Sequence, residues 1–191
     1  MDLGNPIATG NTAQIYLKDN KIVKVFNSFL PDTESIKEAN KQKYAYSCGL
    51  PVPKIFDVTK INGQQAIIME YVQGDTLGDL MHKNKDQVED YLSVSVDMQL
   101  KIHSIKPPRE EIEPMYHKLS RQIEEATLLN QKQKSDLLRL LESINYESRL
   151  CHGDFHVFNL IKTDSQVVVI DWVDSSLGDV CADVYRTYLL Y

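Results

Sequence analysis

Three oxygen-bearing side chains could bind a divalent cation in the last part of this 191-residue chain. Asp154 lies in a loop, Asn159 directly precedes a short apolar segment, and Asp171 directly follows the β-branched run at 167–170. The polar stretch at 163–166 favours a turn between the two segments, so we predict an antiparallel hairpin with Asn159 and Asp171 at the same end. Carboxylate and amide oxygens are ligands that hard divalent cations prefer. The sequence therefore predicts a cation site here.

A lysine in an apolar strand near the N-terminus could contact a phosphate. Alternation along the predicted strand at 22–26 places Lys24 on the same face as Ile22 and Phe26, two large apolar residues. The simpler interpretation is a lysine on an edge strand, or one whose long side chain reaches solvent. The functional interpretation rests on the preceding β-meander, in which a turn containing Gly10, Asn11 and Thr12 could present backbone N–H groups to the same phosphate. Both interpretations stay open.

A predicted helix at about 35–47 carries Glu38 in its first turns. A carboxylate at this position is stabilised by the helix dipole, which is the structural interpretation. The functional alternative is an ion pair that aims Lys24. The pattern alone does not decide between them.

The predicted secondary structure changes near residues 72–75. Five strand-like segments and one helix precede this point, whereas the chain after Thr76 is mostly helical. We therefore predict an α+β fold with two lobes. A small antiparallel β N-lobe with one helix spans 1–73, and a mostly helical C-lobe spans 74–191.

Two of the predicted helices carry apolar stripes, which are typical of helices packed against a core. The helix at 86–103 has its stripe at Val88, Leu92, Val96 and Leu100. In the helix at 131–146, the residues expected to face the core are Leu137, Leu138, Leu141 and Ile144.

The composition narrows the class of protein. With 42% hydrophobic and 25% charged residues, a net charge of −6 and no basic block, we expect a globular protein whose partner is neither nucleic acid nor a membrane. Cys48, Cys151 and Cys181 share no C-x-x-C spacing, which argues against a disulfide framework or a zinc site. This use of cysteine favours a reducing cytoplasm as the setting of the protein. The first residues also lack the basic and apolar regions of a secretory signal. The oligomeric state is not indicated.

The segment at 152–159, H-G-D-F-H-V-F-N, has the H-x-D-x-x-x-x-N spacing of a kinase catalytic loop. In that chemistry the Asp accepts the proton of the substrate hydroxyl, while the Asn and a second acid bind magnesium. The chain also has the order of elements that is typical of kinases. A glycine-containing turn comes first, followed by a strand with a lysine, a helix with a glutamate, the catalytic loop and a strand that ends in an acid. A rival interpretation is the G-D-x-H segment of a binuclear metallophosphoesterase, at 153–156, but the sequence contains no G-N-H segment to complete such a site.

These residues together resemble the aminoglycoside phosphotransferase and choline kinase-like family, a branch of the protein-kinase-like fold that acts on small molecules. H-G-D-F-H-x-x-N followed by I-D-W carries the resemblance at 151–172, and residues 10–16 with 22–26 resemble the family's N-lobe opening. The resemblance implies a protein-kinase-like fold and an enzyme that transfers the γ-phosphoryl group of ATP, with Mg²⁺, to a hydroxyl of a small molecule. The implied acceptors are aminoglycosides, choline-like amines, amino alcohols and sugars, and GTP stays open as the donor.

The resemblance also implies the roles of individual residues. Asp154 would be the catalytic base, Asn159 and Asp171 would bind magnesium, and Asp183 would support the catalytic loop.

On the nucleotide side, the resemblance implies that Lys24 contacts the α- and β-phosphates, with Glu38 as its partner. Further nucleotide contacts would come from the turn near the N-terminus and from the segment that joins the lobes. The residues of the turn are Gly10, Asn11 and Thr12. The residues of the joining segment, which would contact adenine, are Glu70 to Val72.

Two features depart from the family. Val157 and Phe158 replace the Pro-Gly that usually precedes the Asn, which changes the loop surface but not the Asp–Asn spacing. The chain also ends at Tyr191, where relatives usually continue through helices that help to close the acceptor site. Three interpretations therefore stay open. The chain is a fragment, a minimal member of the family, or a non-catalytic nucleotide-binding or regulatory module with a kinase-like fold.

Overall fold

The structure, a computed structural model, describes residues 3–106 and 112–191. The strands in these ranges are β1 Ala8–Thr9, β2 Ala13–Lys18, β3 Lys21–Phe26, β4 Ile55–Ile61, β5 Gln64–Glu70, β6 Asp75–Thr76, β7 Arg149–Cys151, β8 Leu160–Lys162, β9 Val167–Val169 and β10 Ser176–Gly178. The helices are α1 Glu34–Ser47, α2 Leu77–Lys83, α3 Val88–His103, α4 Met115–Glu125, α5 Gln131–Ser143 and α6 Val180–Leu190, with short 3₁₀ turns at Lys85–Gln87 and Val157–Asn159.

The chain forms two compact units. The first consists of Met1–Ser95 and Val157–Val173, and the second consists of Val96–His156 and Asp174–Tyr191, so α3 contributes to both. The predicted lobes, 1–73 and 74–191, are divided where the secondary structure changes from strands to helices, and this boundary stays a prediction.

An antiparallel sheet in the order β1-β2-β3-β5-β4 forms the main body of the first unit. As the alternation predicts, β3 places Val23 and Val25 in an apolar cluster on one face. Phe26 lies in a separate cluster on the other face, together with Ala39 of α1. Lys24 shares the face of Phe26, with its Nζ 5.5 Å from the centre of the Phe26 ring. The side of the sheet covered by α1 is therefore the side that carries the lysine.

The predicted hairpin is present in the same unit. β8 pairs antiparallel with β9, with Leu160 opposite Val169, and β6 pairs with the other edge of β8. The Thr163 N–H donates to the Gln166 carbonyl at 2.9 Å and closes the turn. The Val169 N–H donates to the Pro51 carbonyl at 2.8 Å, which attaches the hairpin to the segment after α1.

The second unit contains α4, α5, α6 and the antiparallel pair of β7 and β10. The Asp179 side chain caps α6 by accepting the Cys181 N–H at 2.8 Å. Gln99 of α3 donates to Thr187 Oγ1 of α6 at 2.8 Å. Over residues 3–106 and 112–191, no helix has both the length and the apolar character that crossing a membrane requires.

The buried side of α3 differs from the stripe that the sequence suggests. Val96 and Leu100 are 56% and 61% exposed, and Leu92 is 36% exposed. The buried residues of α3 are instead Tyr91, Ser95, Gln99, Ile102 and His103. Gln99 and His103 make hydrogen bonds to side chains of α6, and a buried polar group that keeps its hydrogen bonds is tolerated in a core.

The prediction that α5 turns its apolar stripe toward the core is wrong. The helix has no fully buried residue, and Leu137 and Ile144 are 39% and 44% exposed. The helix pairs with α4, and a two-helix hairpin shelters only part of an apolar stripe.

Candidate active site

Lys24 lies at the centre of an ion cluster in the first unit. Its Nζ donates to Glu38 Oε1 at 2.6 Å and to Asp171 Oδ1 at 3.2 Å. The side chains of Lys24 and Glu38 are buried, whereas that of Asp171 is 39% exposed. Of the two interpretations left open for each residue, the structure shows the ion pair between Lys24 and Glu38 rather than a lysine that reaches solvent.

The lysine in this cluster carries a positive charge. Burial by itself would lower the pKa of Lys24, but the neighbouring carboxylates of Glu38 and Asp171 outweigh it and raise the pKa. Helix α1 is tied to the sheet at its first turn, where the Ser35 N–H donates to Gln65 Oε1 at 2.9 Å. The helix and the strand therefore hold a buried cation in a defined position.

Asn159 and Asp171 lie at the same end of the hairpin, as predicted. The Asn159 carbonyl accepts the Ile170 N–H at 3.0 Å, and Asn159 is buried at the end of a 3₁₀ turn. Asp171 has a φ of +62°, a left-handed conformation that Asp adopts more readily than most residues. Magnesium takes one or two protein oxygens and leaves its other positions to phosphates and water. The side-chain amide of Asn159 and the carboxylate of Asp171 are ligand types that suit such an ion.

The turn of Gly10, Asn11 and Thr12 joins β1 to β2 and is exposed. Asn27 fixes it from below, because its side-chain amide donates to the Asn11 carbonyl at 3.0 Å and its backbone N–H donates to the Thr12 carbonyl at 2.8 Å. The Gly10 N–H donates to the Ala13 carbonyl at 2.9 Å. A phosphate at this turn would therefore meet the N–H groups of Asn11 and Thr12 rather than that of Gly10.

Glu70 ends β5, and Val72 follows it, half-buried, in a segment without regular secondary structure. The Glu70 N–H donates to the Lys54 carbonyl at 2.9 Å, and the Glu70 carboxylate accepts the Lys54 N–H at 3.1 Å. Because its N–H is used in this way, Glu70 would have to contact adenine through its carbonyl oxygen.

In the second unit, Asp183 of α6 holds the loop that contains Asp154. Asp183 Oδ1 accepts the Gly153 N–H at 2.7 Å, and Oδ2 accepts the His152 N–H at 3.2 Å. Oδ2 also lies 2.8 Å from His103 Nε2. Burial would raise the pKa of Asp183, but the hydrogen bonds from His103 and Gly153 outweigh it and lower the pKa. Asp183 is therefore an ionised acceptor beneath the loop.

Asp154 itself is partly accessible, with a side chain that is 24% exposed. Its N–H donates to His152 Nδ1 at 3.3 Å, and its carboxylate oxygens lie 3.6 Å from His156 Nε2 and 3.6 Å from Arg186 Nη2. Gly153, just before it, has a φ of +80°, and a Cβ there would lie 2.3 Å from the Asp174 carbonyl oxygen. Only glycine fits this position in the observed loop.

His103, Cys151 and Asp183 lie close enough together to suggest a metal site. The carboxylate of Asp183 is already used by its hydrogen bonds, and burial raises the pKa of Cys151, which keeps the thiol protonated. Metals bind the thiolate. His103 and Asp183 therefore form a hydrogen-bonded pair beneath the loop, and Cys151 is a buried thiol beside them.

Sequence reasoning missed Arg186. Its Nε donates to the Gly153 carbonyl, and its Nη2 is the atom near Asp154. The spacing was present in the sequence, because Arg186 stands three residues after Asp183 and so shares its side of α6. A surface arginine near the end of a helix has no distinguishing pattern, and only the fold shows what it contacts.

A model of the phosphotransferase enzyme family, APH, matches residues 4–191. Since the match covers nearly all of the chain, the chain belongs to this family. The predicted family is thereby confirmed.

Among curated proteins, acyl-CoA dehydrogenase family member 11 of Pongo abelii is 30% identical over 190 residues, which cover 86% of this chain and 24% of that protein. The protein of the same name from Homo sapiens is 28% identical over the same shares. The chain thus spans about a quarter of the length of these relatives.

Solved structures share the fold. An aminoglycoside-3′-phosphotransferase of type VIII superposes with a TM-score of 0.70 at 17% identity, over 97% of this chain and 75% of that one. A thermostable mutant of aminoglycoside phosphotransferase APH(4)-Ia, in a ternary complex with ADP and hygromycin B, has a TM-score of 0.68 at 16% identity, over 95% of this chain and 70% of that one. These similarities confirm the predicted α+β, kinase-like fold class.

Proposed function

We propose that this chain transfers the γ-phosphoryl group of ATP to a hydroxyl of a small molecule and requires Mg²⁺ to do so. The observation that carries the proposal is the buried Lys24–Glu38 pair at 2.6 Å, extended to Asp171 at 3.2 Å. A buried cation has to be compensated by nearby charges, and here one of the compensating carboxylates is Asp171, a proposed magnesium ligand, at 3.2 Å. Membership of the phosphotransferase enzyme family supports the same reaction.

In this proposal the first unit binds the nucleotide. Lys24 exchanges part of its contact with Asp171 for the α- and β-phosphates, while Glu38 keeps the amine in place. The turn at Gly10–Thr12 covers the phosphates, and Glu70 to Val72 offer backbone groups to adenine. Asn159 and Asp171 would hold Mg²⁺, which when bound offsets the charge of the phosphates.

Asp154 acts on the acceptor. Its carboxylate orients the acceptor hydroxyl and takes its proton as the new O–P bond forms, while the bond between the γ-phosphorus and the β–γ bridging oxygen breaks and ADP leaves. Because phosphoryl transfer depends mainly on positioning and electrostatic stabilisation, a small displacement of Asp154 is costly. Asp183 and Gly153 keep the loop in its observed conformation, which is their contribution to the rate.

The acceptor is proposed as a class rather than as a compound. The related fold that holds ADP together with hygromycin B supports a nucleotide and a hydroxylated small molecule as the two substrates. Aminoglycosides, choline-like amines, amino alcohols and sugars are the acceptors to test, with GTP compared to ATP as donor. The three free cysteines suit the reducing cytoplasm in which we place the activity.

The test is ADP release from ATP and Mg²⁺ with a panel of these acceptors. Asp154→Asn is expected to lower kcat by about 100-fold or more, because it removes the proton acceptor but keeps the shape of the side chain. Asp164→Asn is the matched control, since Asp164 lies exposed in the β8–β9 turn, and it should leave the rate unchanged.

Acceptor-dependent ADP release that Asp154→Asn abolishes supports the proposal. Nucleotide binding without turnover on any acceptor would instead favour a regulatory module with a kinase-like fold. Wild-type turnover by Asp154→Asn would remove Asp154 from the mechanism.

A further inference from the structure

The peptide between Gly153 and Asp154 is held at both of its polar atoms. The Asp154 N–H donates to His152 Nδ1 at 3.3 Å, and Arg186 Nε donates to the Gly153 carbonyl oxygen. The orientation of this peptide sets the direction in which the Cα–Cβ bond of Asp154 points. Holding both atoms therefore restricts where the Asp154 carboxylate can lie.

Arg186 also reaches the carboxylate itself. Its Nη2 lies 3.6 Å from Asp154 Oδ1, so one planar guanidinium contacts both the backbone before Asp154 and its side chain. The rigid fork of arginine makes such a two-point contact with little further loss of freedom. Lysine, with a single terminal amine, cannot reproduce the geometry.

The same side of α6 supplies the complementary contact. Asp183, three residues earlier, accepts the Gly153 N–H at 2.7 Å. Gly153 is thus bound through its N–H by a carboxylate and through its carbonyl by a guanidinium, both from one helix. Glycine adopts positive φ about as readily as negative φ, so the φ of +80° at Gly153 is not set by the residue type alone. These two contacts favour the observed conformation of the loop.

We propose that Arg186 is a positioning residue for the reaction. It holds the Gly153–Asp154 peptide and the Asp154 carboxylate in the orientation in which this carboxylate takes the proton of the substrate hydroxyl. This inference rests on the proposed function for its effect on rate, but the positioning itself can be tested without turnover. The Arg186 side chain is 54% exposed, so an ion pair alone would contribute little in water. The effect comes from the contact with the Gly153 carbonyl.

The first arm of the test is hydrogen exchange followed by mass spectrometry of the peptide containing 152–156, for the wild-type full chain, Arg186→Ala and Arg139→Ala. Arg139 is the matched control, because it is an exposed arginine of α5 whose ion pair to Asp136 is 3.9 Å long. Faster exchange of this segment in Arg186→Ala and not in Arg139→Ala is expected. Equal exchange in all three proteins would overturn the proposal.

The second arm is kinetic. Arg186→Ala should lower kcat by about tenfold, because it removes a charge-assisted hydrogen bond to the loop that positions Asp154 against the substrate hydroxyl. The KM for ATP should stay within about twofold of wild type, because the proposed nucleotide contacts are unchanged. A cavity of about 140 Å³ borders Arg186, Gly153 and Asp174, so a guanidinium ion can enter the space that the variant leaves. About 20 mM guanidinium, far below denaturing concentrations, should restore part of kcat, and the same concentration of NaCl should not. Arg186→Lys should remain impaired.

A kcat within about twofold of wild type, or a loss that guanidinium does not restore, would overturn the positioning role. If the wild-type chain phosphorylates no acceptor, the proposed function fails, while the exchange measurement still decides whether Arg186 holds the loop.

Discussion

Replacing Glu38 by glutamine tests the ion cluster most directly. The substitution keeps the shape of the side chain and removes the charge that lies 2.6 Å from Lys24 Nζ. Glu38 is 2% exposed, so the lost interaction is not replaced by water. Lys24 is left with Asp171, 3.2 Å away and 39% exposed.

The expected loss of stability follows from this geometry. Removing one partner of a buried ion pair costs about 3–5 kcal/mol when the remaining charge has no other partner. Here Asp171 still compensates Lys24, and glutamine can still accept one hydrogen bond. We therefore expect a loss of about 1.5–3 kcal/mol, the range for a hydrogen bond to a charged group. For a chain of this size that corresponds to a fall in Tm of about 3–12 °C.

The activity of Glu38→Gln should fall as well. Without Glu38, the Lys24 amine is drawn toward Asp171, which is the residue proposed to bind magnesium. We expect kcat/KM for ATP to fall by about tenfold or more, as one positioned contact to the phosphates is weakened.

The assay is urea unfolding monitored by circular dichroism, with nucleotide kinetics on the same preparations. Glu34→Gln is the matched control, because Glu34 lies on the same helix and pairs with Lys37 at 2.9 Å, where the lysine is 61% exposed. A surface pair of this kind contributes about 0.2–1 kcal/mol. If Glu38→Gln unfolds at the same urea concentration as Glu34→Gln, the buried pair does not stabilise the fold as argued.

Three further predictions follow from other parts of the structure. Asp171→Asn should abolish turnover, as should Asp154→Asn, but only Asp171→Asn should also weaken magnesium-dependent nucleotide binding, measured by isothermal titration calorimetry; equal binding by both variants would contradict the division of roles. Because the pKa of Asp183 is lowered in the folded chain, its stabilising contribution is present above the unfolded-state value of about 3.9 and is lost as pH falls through the folded value. Urea midpoints measured between about pH 3 and 7 should therefore fall less steeply toward acid in Asp183→Asn than in wild type, and parallel curves would refute this. Burial raises the pKa of the Cys151 thiol, whereas Cys181 is exposed; a thiol reagent at neutral pH should modify Cys181 in the native chain and reach Cys151 only on unfolding, as peptide mass mapping would show.

Local patterns in the sequence determined much of the fold. Strand alternation correctly placed Lys24 on the face of Phe26, because a period of two is a property of the extended backbone itself. The hairpin with Asn159 and Asp171 at one end follows from two apolar segments around a polar turn. Each of these features depends on residues close together in the chain.

Other features were decided by tertiary structure alone. Glu38 follows Lys24 by fourteen residues in the chain, and whether the two side chains pair depends on how α1 packs on the sheet. The apolar stripe of α3 suggested the wrong buried side, since Gln99 and His103 are buried and find partners on α6 that lie 88 and 80 residues away in the chain. Hydrophobic periodicity measures only apolar character, so it cannot anticipate a polar side that is buried because distant residues complete its hydrogen bonds.

The loop around Asp154 combines both kinds of information. Its residue types and spacing could be interpreted as a catalytic loop from the sequence, because the spacing is local. Its conformation depends on Asp183 and Arg186, about 30 residues away on α6. The short sequence motif names the reactive group, and the helix that packs beneath it decides where that group points, because the backbone at Gly153 has too little preference of its own.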